Sequence, residues 1–395
     1  MVPLMISEFR RAQLAVAALF CLLGFQYATW AAQIPALQSR MSLSPAELGV
    51  LLLATGVGAT VSFPLVATLM RRLGSRGLAC LSGLVLCLVL VALAAVSSYP
   101  LALLVLFIDG IAVCCLNVAM NAQGAALEEK FSRTTMAKLH ATFSGGTFVA
   151  ALISSGINSF SSSLMVHFGI AIVALLALIG YSWPALLTDD APVPAAEGAP
   201  KEKSRLSWPT RVTVWLGLAM VFGTITEGAM NDWSSLYLRD VTHASPEIAP
   251  LGIAVVSAMM VLARLFADRW RDRWGDQRVV LTGATLAGVG LVLALLIGGV
   301  TPALLGFACV GIGMAAVTPC VYVAAAREGA NALTLVAAMG TVGLLAGPPV
   351  IGFITNATTL VWGMTAVAAS ALLVTACVSQ TRQPGGERLT EAPAG

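Results

Sequence analysis

The stretch TDDAPVPAAEGAPKEKSRLSWP, residues 188–209, is the one long polar segment between apolar segments in this 395-residue chain. Its proline, alanine and charged residues are typical of a flexible linker. Elsewhere apolar residues prevail, because the whole chain is 58% hydrophobic and 10% charged, with a mean hydropathy of +0.88. This composition excludes a soluble globular domain and predicts a membrane protein whose linker separates two parts.

Six apolar segments precede the linker and six follow it. They lie near residues 12–37, 46–69, 77–96, 100–127, 138–160, 163–187, 210–236, 247–267, 278–299, 302–326, 331–354 and 358–379. Each is long enough to cross a hydrocarbon core of about 30 Å as a helix, which pairs its own backbone groups where water is absent. The sequence therefore predicts an all-α membrane protein of twelve transmembrane helices in two six-helix bundles. The expected divisions are a first bundle at 1–187, a linker at 188–209, a second bundle at 210–380 and a tail at 381–395.

The distribution of the 22 Lys and Arg residues predicts the orientation. With the amino terminus in the cytoplasm, only Arg40 and Arg239 fall on the external side, which satisfies the positive-inside rule and leaves both termini cytoplasmic. The net charge of +3 then reflects topology, and no nucleic-acid partner is expected. The first apolar segment resembles a signal peptide, but its cleavage would invert every later loop. We therefore expect an uncleaved first helix.

Two landmarks recur at the same interval in the two halves. SLSPAELG and HASPEIAP each place Ser-Pro before an apolar segment, as an N-cap followed by proline would, and Ser44 and Ser245 are 201 residues apart. RRLGSRGL and DRWGDQRV place Gly74 and Gly275 at the same interval of 201. The halves are therefore predicted to be tandem repeats.

No pattern in the chain indicates an enzyme. The eight cysteines fall in apolar segments without a CxxC pair, and the three histidines are scattered. No nucleophile motif or phosphate-binding loop is present. We expect no cofactor, no metal and no catalytic residue.

The second landmark resembles the cytoplasmic signature of the major facilitator superfamily, which is approximately G-x-x-x-D-R-x-G-R-R. The second-half copy retains the residues Asp272, Arg273, Gly275 and Arg278, preceded by Arg264. In the first half Arg71 occupies the aspartate position, which leaves Arg72 and Arg76 as possible anchors of the loop. The resemblance implies a gating role for Arg72, Arg76, Arg264, Asp272 and Arg273.

Five further stretches resemble a sparsely characterised group of bacterial permeases near the fucose permeases. They are WAAQIPAL, MNAQGAALEE, LHATFSGGT, EGAMNDW and GPPVIG. The resemblance implies a monomeric inner-membrane secondary transporter whose bundles rock around a central site lined by helices one, four, seven and ten. Segment five lacks the glycine-proline pattern of antiporters in this superfamily, which argues against drug efflux without excluding export.

Carboxylates inside the apolar segments are the strongest candidates for the site, because each costs about 2.5 to 3.5 kcal/mol to insert. Glu227 and Asn231 are one helical turn apart, whereas Asp232 is rotated by about 140° from Glu227. Glu227 and Asn231 are expected to face the cavity; for Asp232 a structural or external-gate role remains open. Asp109 is a candidate proton carrier, and the alternative is a protonated packing residue.

Other polar residues complete the expected site. Gln26, Trp30 and Gln33 form one stripe on the first segment and are candidates for solute binding, although Trp30 could instead be an interfacial anchor. Further candidates for solute binding are Asn117, Asn121 and, more weakly, Tyr322. His140 is either part of a gate or proton path, or a loop residue without such a role.

The sequence thus predicts a proton-coupled secondary transporter of a small polar or amphipathic solute, with symport ahead of antiport. A facilitative uniporter and a non-transporting membrane sensor are the alternatives. The expected partners are the solute, protons and the lipid bilayer.

The charge distribution generates a topology prediction. A reporter fused after Ala199 is expected to be cytoplasmic, and one inserted near His243 external, because the basic residues hold their side of the chain in the cytoplasm. Enzymatic or fluorescent reporters of each compartment provide the measurement. Reversed signals would contradict the orientation.

Overall fold

The computed structural model describes residues 2–188 and 209–381, except for the side chains of 2–7, 137, 268 and 330. Within these ranges the chain forms fourteen α-helices. They are α1 (Val2–Ala31), α2 (Ile34–Met41), α3 (Pro45–Val61), α4 (Phe63–Ala95), α5 (Tyr99–Phe131), α6 (Met136–Asn158), α7 (Leu164–Ser182), α8 (Arg211–Asp240), α9 (Leu251–Trp274), α10 (Asp276–Ile297), α11 (Val300–Met314), α12 (Val317–Arg327), α13 (Ala330–Ala357) and α14 (Leu360–Ser379). Most of the expected linker and nearly all of the expected tail lie outside the described residues, so those divisions stay predictions.

The helices confirm the predicted twelve crossings. By length and composition, nine stretches of the described residues could each span a membrane, and α3 and the first part of α9 are shorter apolar helices. The first crossing consists of α1 and α2, and the tenth of α11 and α12. The second crossing begins with α3 and continues into α4, which also forms the third. Every other helix makes one crossing.

The crossings form two bundles. In the first, α1 packs against α6 and α7, while α5 packs against α3 and α4. In the second, α8 packs against α13 and α14, while α10 packs against α11 and α14. The bundles meet along two seams, α3 on α13 and α6 on α9. We call the face where α1 begins and α14 ends the terminal face, and the opposite one the far face.

Backbone geometry confirms the internal repeat. Gly74 and Gly275, 201 residues apart, both have positive φ, +65° and +81°, and each turns the chain into the next crossing. Ser42 and His243, also 201 residues apart, share a φ of +52° at the far face. Positive φ is uncommon outside glycine. Two such pairs at one interval indicate that the halves follow the same path.

The Ser-Pro landmarks do not have the same structure, and one prediction was wrong. Ser44 caps α3 in a capping box with Glu47, and Pro45 is the first helical residue, as predicted. In the second half α9 begins at Leu251, five residues after Pro246. Ser245 and Pro246 form a turn instead, and the Ser245 hydroxyl holds the pKa of Glu247 below its usual range by hydrogen bonding to the carboxylate. Pro250 explains the difference, because it has no N–H to bond the Pro246 carbonyl.

Close backbone crossings hold each bundle together. A Cβ atom on Gly110 of α5 would overlap the Thr55 carbonyl of α3, and one on Gly58 would overlap the Phe107 carbonyl. Gly283 of α10 and Gly313 of α11 have the same relation to each other. Small residues at crossings maximise packing contacts between membrane helices, where burial from lipid supplies little driving force. These sites make the bundles stiff bodies.

Gly110→Ala is expected to destabilise the protein by about 1 to 3 kcal/mol, because α5 must move away from α3 to admit the methyl group. Thermal unfolding of the purified protein in detergent measures this. Gly180→Ala is the matched control, since nothing lies within 4 Å of a Cβ at that helical glycine. Equal melting temperatures for the two variants would show that the crossing is not tight.

Candidate functional site

An arginine closes the far face between the bundles. Arg239, at the end of α8, donates to the Pro35 carbonyl, to Gln38 Oε1 at 2.7 Å and to Ser39 Oγ at 3.1 Å on α2. The same guanidinium is paired with the neighbouring Asp240. Because the chain breaks between α1 and α2, α2 can lie against the end of α8 in the other bundle.

The turn that precedes α9 makes a second far-face contact. Asn158 of α6 donates to the Pro246 carbonyl at 2.7 Å, and Ser155 donates to the Glu247 carbonyl at 2.5 Å. The first of these carbonyls is the one that Pro250 cannot bond. The irregular turn thus presents backbone acceptors to the other bundle.

Below these contacts a buried hydrogen bond joins the first and seventh crossings. The Tyr27 hydroxyl donates to Asp232 Oδ1 at 2.7 Å, and Asp232 is only 5% exposed. Tyr27 also packs edge to face on Trp30, with ring centroids 5.8 Å apart. Its chain neighbour Gln26 donates to Asp109, and Asp232 lies five residues after Glu227 on α8. Tyr27 therefore connects the first bundle with a carboxylate of the second.

At mid-depth Arg264 of α9 connects a carboxylate of its own bundle with the other bundle. Its Nη1 donates to Ser144 Oγ of α6 at 2.8 Å, and its Nη2 lies 3.6 Å from Glu227 Oε1. The side chains of Arg264 and Glu227 are 28% and 32% exposed. An ion pair this exposed in the middle of a bilayer requires a wet cavity.

The cavity opens toward the terminal face. The hydrogen bonds described between the bundles lie at the far face or at mid-depth, with Arg264 and Ser144 the pair nearest the terminal face. His140, one turn from Ser144 toward the terminal face on α6, is exposed and packs edge to face on Phe20 at 5.0 Å. These hydrogen bonds thus join the bundles at the far face and at mid-depth, and none of them joins described residues at the terminal face.

A second carboxylate is enclosed within the first bundle. Asp109 of α5 and Gln26 of α1 are both fully buried, and Gln26 Nε2 donates to Asp109 Oδ1 at 2.8 Å. Asp109 Oδ2 and Gln26 Oε1 have no hydrogen-bond partner among the described residues. Asp109 and Glu227 therefore do not share an exposed surface here.

The predicted stripe on the first crossing points into the bundle. Trp30 and Gln33 are 2% and 3% exposed. Gln33 donates to Ser154 Oγ at 2.8 Å and lies 3.1 Å from His167 Nδ1, which connects the turn between α1 and α2 with α6 and α7. The structure thus places all three stripe residues in the interior of this conformation rather than on the open cavity.

Other predicted solute-binding residues are more accessible. Asn117 is exposed, and Asn121 donates to its side-chain oxygen at 2.9 Å. Asn231 donates to the Glu227 carbonyl at 3.1 Å, and Tyr322 is half-buried. Exposed amides at this depth favour a wet cavity, because lipid would leave them without hydrogen-bond partners.

The signature residues lie at the terminal face. Asp272 and Arg273 are exposed, and no ion pair of either is found among residues 2–188 and 209–381. Asp276, which was not among the predicted site residues, is 2.8 Å from Arg271 and 3.6 Å from Arg327. Its place just after Gly275, in the first turn of α10, is a signal that could have identified it.

The first-half copy of the signature has a different contact. The Arg76 guanidinium lies over the Trp183 ring, 4.2 Å from its centroid, whereas Arg72 is exposed. Arg76 therefore joins the third crossing to the end of the sixth.

Comparison with known proteins gives consistent matches over nearly the whole chain. The family model of the Major Facilitator Superfamily matches residues 14–328 and 234–394. An uncharacterised MFS-type transporter of Yersinia pestis is 31% identical over 357 residues, 88% of this chain and 90% of the relative. The membrane protein MosC of Rhizobium meliloti is 31% identical over 375 residues, 92% of this chain and 88% of the relative.

Solved structures share the fold at low identity. The nucleoside transporter NupG has a TM-score of 0.72 at 14% identity, covering 95% of this chain and 98% of that one. The transporter FucP in its outward conformation has a TM-score of 0.60 at 16% identity, covering 95% and 100%. The predicted fold and the resemblance near the fucose permeases are confirmed.

Tyr27→Phe is expected to weaken the far-face seal, because it removes the donor that Asp232 accepts across the bundle interface. Spin labels at Ser42→Cys and His243→Cys, after replacement of the native cysteines, report the far-face distance by pulsed EPR. We expect a new population at longer distance in Tyr27→Phe.

Asp232→Asn is the matched variant, since its amide oxygen can still accept from Tyr27. We expect its distance distribution to stay like that of the parent. An unchanged distribution in both variants would mean that the other far-face contacts hold the seal alone.

Proposed function

The chain belongs to the Major Facilitator Superfamily and is a multi-pass membrane transporter rather than an enzyme, and we propose that it carries a small polar or amphipathic solute by proton-coupled symport. The membrane is the bacterial inner membrane, with the terminal face in the cytoplasm, and the functional unit is a monomer. In this orientation the conformation described above is open to the cytoplasm.

The observation that carries proton coupling is the incomplete hydrogen bonding of Asp109. A buried carboxylate normally has a cation or several donors nearby, since an uncompensated buried charge is very costly. Asp109 accepts one bond from Gln26, and its second oxygen has no partner in the described part of the chain. A proton on Oδ2 would remove the charge and supply a donor. Asp109 is therefore our proton carrier.

Glu227 is our second coupling residue and our solute-binding carboxylate. It faces the cavity at 3.6 Å from Arg264, so a polar solute can compete for either partner. A solute that engages Arg264 releases it from Ser144, and the hydrogen bond at mid-depth between α9 and α6 is lost. Binding would thus alter the contact between bundles, which is the differential interaction that alternating access requires.

Tyr27 provides a physical link between the two carboxylates. It bonds Asp232, which is on the same helix as Glu227, and its chain neighbour Gln26 bonds Asp109. A change of charge at either carboxylate alters the electrostatic environment of this hydroxyl, and hence the far-face seal. Binding of proton and solute would then be coupled, with equal and reciprocal effects on affinity.

The class of solute follows from the side chains that the cavity presents. Asn117, Asn121 and Asn231 offer amides, and Glu227 with Arg264 offers one charge of each sign. These groups can form hydrogen bonds with the hydroxyl or amide groups of a solute, or pair with both charges of a zwitterion. NupG is described as a nucleoside transporter and FucP as a fucose:proton symporter, which is compatible with such solutes.

Asp109→Asn and Glu227→Gln are each expected to abolish accumulation driven by a pH gradient. A gradient of two pH units supports about 100-fold accumulation at one proton per solute, because each unit is worth about 1.36 kcal/mol. A thermal-shift screen on the purified protein identifies a solute, and proteoliposome uptake then measures accumulation. Glu129→Gln is the matched control, because it removes an exposed carboxylate from the same helix as Asp109.

The direction of transport in the parent protein separates the alternatives. Solute that moves against the proton flux indicates antiport, and accumulation that ignores pH indicates uniport. Full proton-driven accumulation in both variants would contradict a coupling role for Asp109 and Glu227 and leave Asp232 and His140 as the candidates.

A further inference from the structure

A groove runs along the outside of the second bundle, where α9 and α10 diverge from Gly275. It encloses about 240 Å³, and its floor consists of the end of α11 and the two residues, Ala315 and Ala316, that join α11 to α12. Leu286 of α10 lines the groove and is exposed, and Leu262 and Leu265 on α9, next to the lining residue Ala263, are exposed as well. Apolar side chains exposed at this depth face hydrocarbon, so the groove opens to lipid and not to the central cavity.

Small residues create the groove. Gly283 of α10 and Gly313 of α11 are so close that a Cβ atom on either would overlap the carbonyl oxygen of the other. Neither residue has a side chain that would fill the groove at this point. Ala263 and Ala267 on α9 and Ala316 at the floor leave space above them. The result is a channel of uniform apolar character beside the bundle.

Aromatic rings form one wall. Phe266, Trp270 and Trp274 stack along α9 with centroid separations of 6.1 Å and 6.5 Å. Trp270 and Trp274 line the groove, and Trp274 is 49% exposed at its terminal-face end. Tryptophan is favoured at the level of lipid headgroups, where its ring meets acyl chains and its N–H meets polar groups.

Positive charge surrounds the mouth of the groove. Arg278 is exposed and lies one turn before Thr282, a lining residue of α10. Arg273 is exposed, three residues after Trp270. The nearby Asp276 is paired with Arg271 and Arg327 and is not free to neutralise them. Exposed Asp272 offsets one of the two charges, so the mouth is basic among the described side chains.

The first bundle does not repeat this surface. Arg273 has a counterpart in Arg72, but the positions 201 residues before Trp270, Trp274 and Arg278 are Leu69, Leu73 and Gly77. Since both halves follow one backbone path, the fold itself requires neither the aromatic wall nor the arginine at the mouth. These residues therefore indicate a ligand of the second bundle alone.

We propose that this groove binds one anionic phospholipid, with an acyl chain against Trp270 and Trp274 and the phosphate at Arg278 and Arg273. Basic pockets between transmembrane helices on the cytoplasmic side recognise such headgroups. The apolar channel and basic mouth match the two ends of this molecule. The groove opens to lipid, although Arg264 donates to the carbonyl of its floor residue Ala315 at 3.5 Å. The proposal can be tested without knowing the transported solute.

Native mass spectrometry of the full chain in detergent tests the site, with phosphatidylglycerol or phosphatidylcholine of identical acyl chains as probes. The parent protein is expected to retain one phosphatidylglycerol several-fold more strongly than phosphatidylcholine. Arg278→Gln should lower that preference about fivefold, the contribution of one basic residue near an anionic lipid. Arg71→Gln, which removes an arginine from the terminal face of the other bundle, should leave it unchanged.

Ala267→Phe tests the apolar part, because its ring would fill the groove. We expect loss of the preferred lipid with an unchanged elution volume, and Trp270→Leu, the residue found at the repeat position, provides a milder variant should Ala267→Phe fail to fold. Equal retention of both lipids by the parent, or an equal effect of Arg71→Gln and Arg278→Gln, would overturn the proposal. So would a dimer that disappears in Ala267→Phe, since a second copy would then occupy the groove.

Discussion

The arrangement of the two bundles depends on the hydrogen bond from Tyr27 to Asp232. It joins the bundles in a buried, low-dielectric position, where an unpaired carboxyl or hydroxyl would be costly. The contacts of Arg239, Asn158 and Ser155 lie beyond it on the far face. The cavity opens at the terminal face because these polar contacts are all made on the other side.

The interfaces within and between bundles differ in kind. Inside a bundle, backbones meet at glycines such as Gly58, Gly110 and Gly283, where any added atom forces the helices apart. Between bundles the described polar contacts are few, and each residue that makes them contributes one to three hydrogen bonds. Motion therefore costs least when each bundle moves as a rigid body and the polar contacts exchange. The Gly49 contact with Pro348 and Gly352, at the far end of the α3 and α13 seam, is a packed point for such a rotation.

The fold could be predicted from the sequence because the length of the apolar segments matches the thickness of a bilayer. The distribution of Lys and Arg over the loops predicts the orientation in the same direct way. The repeat was also readable, since Gly74 and Gly275 need a backbone conformation that few other residues adopt. The predicted helix start at Ser245 was wrong, because Pro250 moves the start of α9 to Leu251 although the local Ser-Pro pattern is the same as in the first half.

The site was less predictable for a related reason. Periodicity gives the face on which a residue lies, but not the side chain of another helix that it meets. It identified Glu227 and Asp232 as facing apart, yet gave neither Arg264 for the first nor Tyr27 for the second. The burial of Gln33 against Ser154 and His167 likewise depends on how α1, α6 and α7 pack.

The contact between Gln38 and Arg239 has a consequence for how the two halves diverged. These residues are 201 positions apart, so each is the counterpart of the other, and they touch across the pseudo-twofold axis. In an ancestor of two identical halves, this residue would have faced its own copy. Two arginines there would repel, and two glutamines would lack the charge that strengthens a bond to a backbone carbonyl. Symmetry had to be broken at this position before one guanidinium could hold the far face closed.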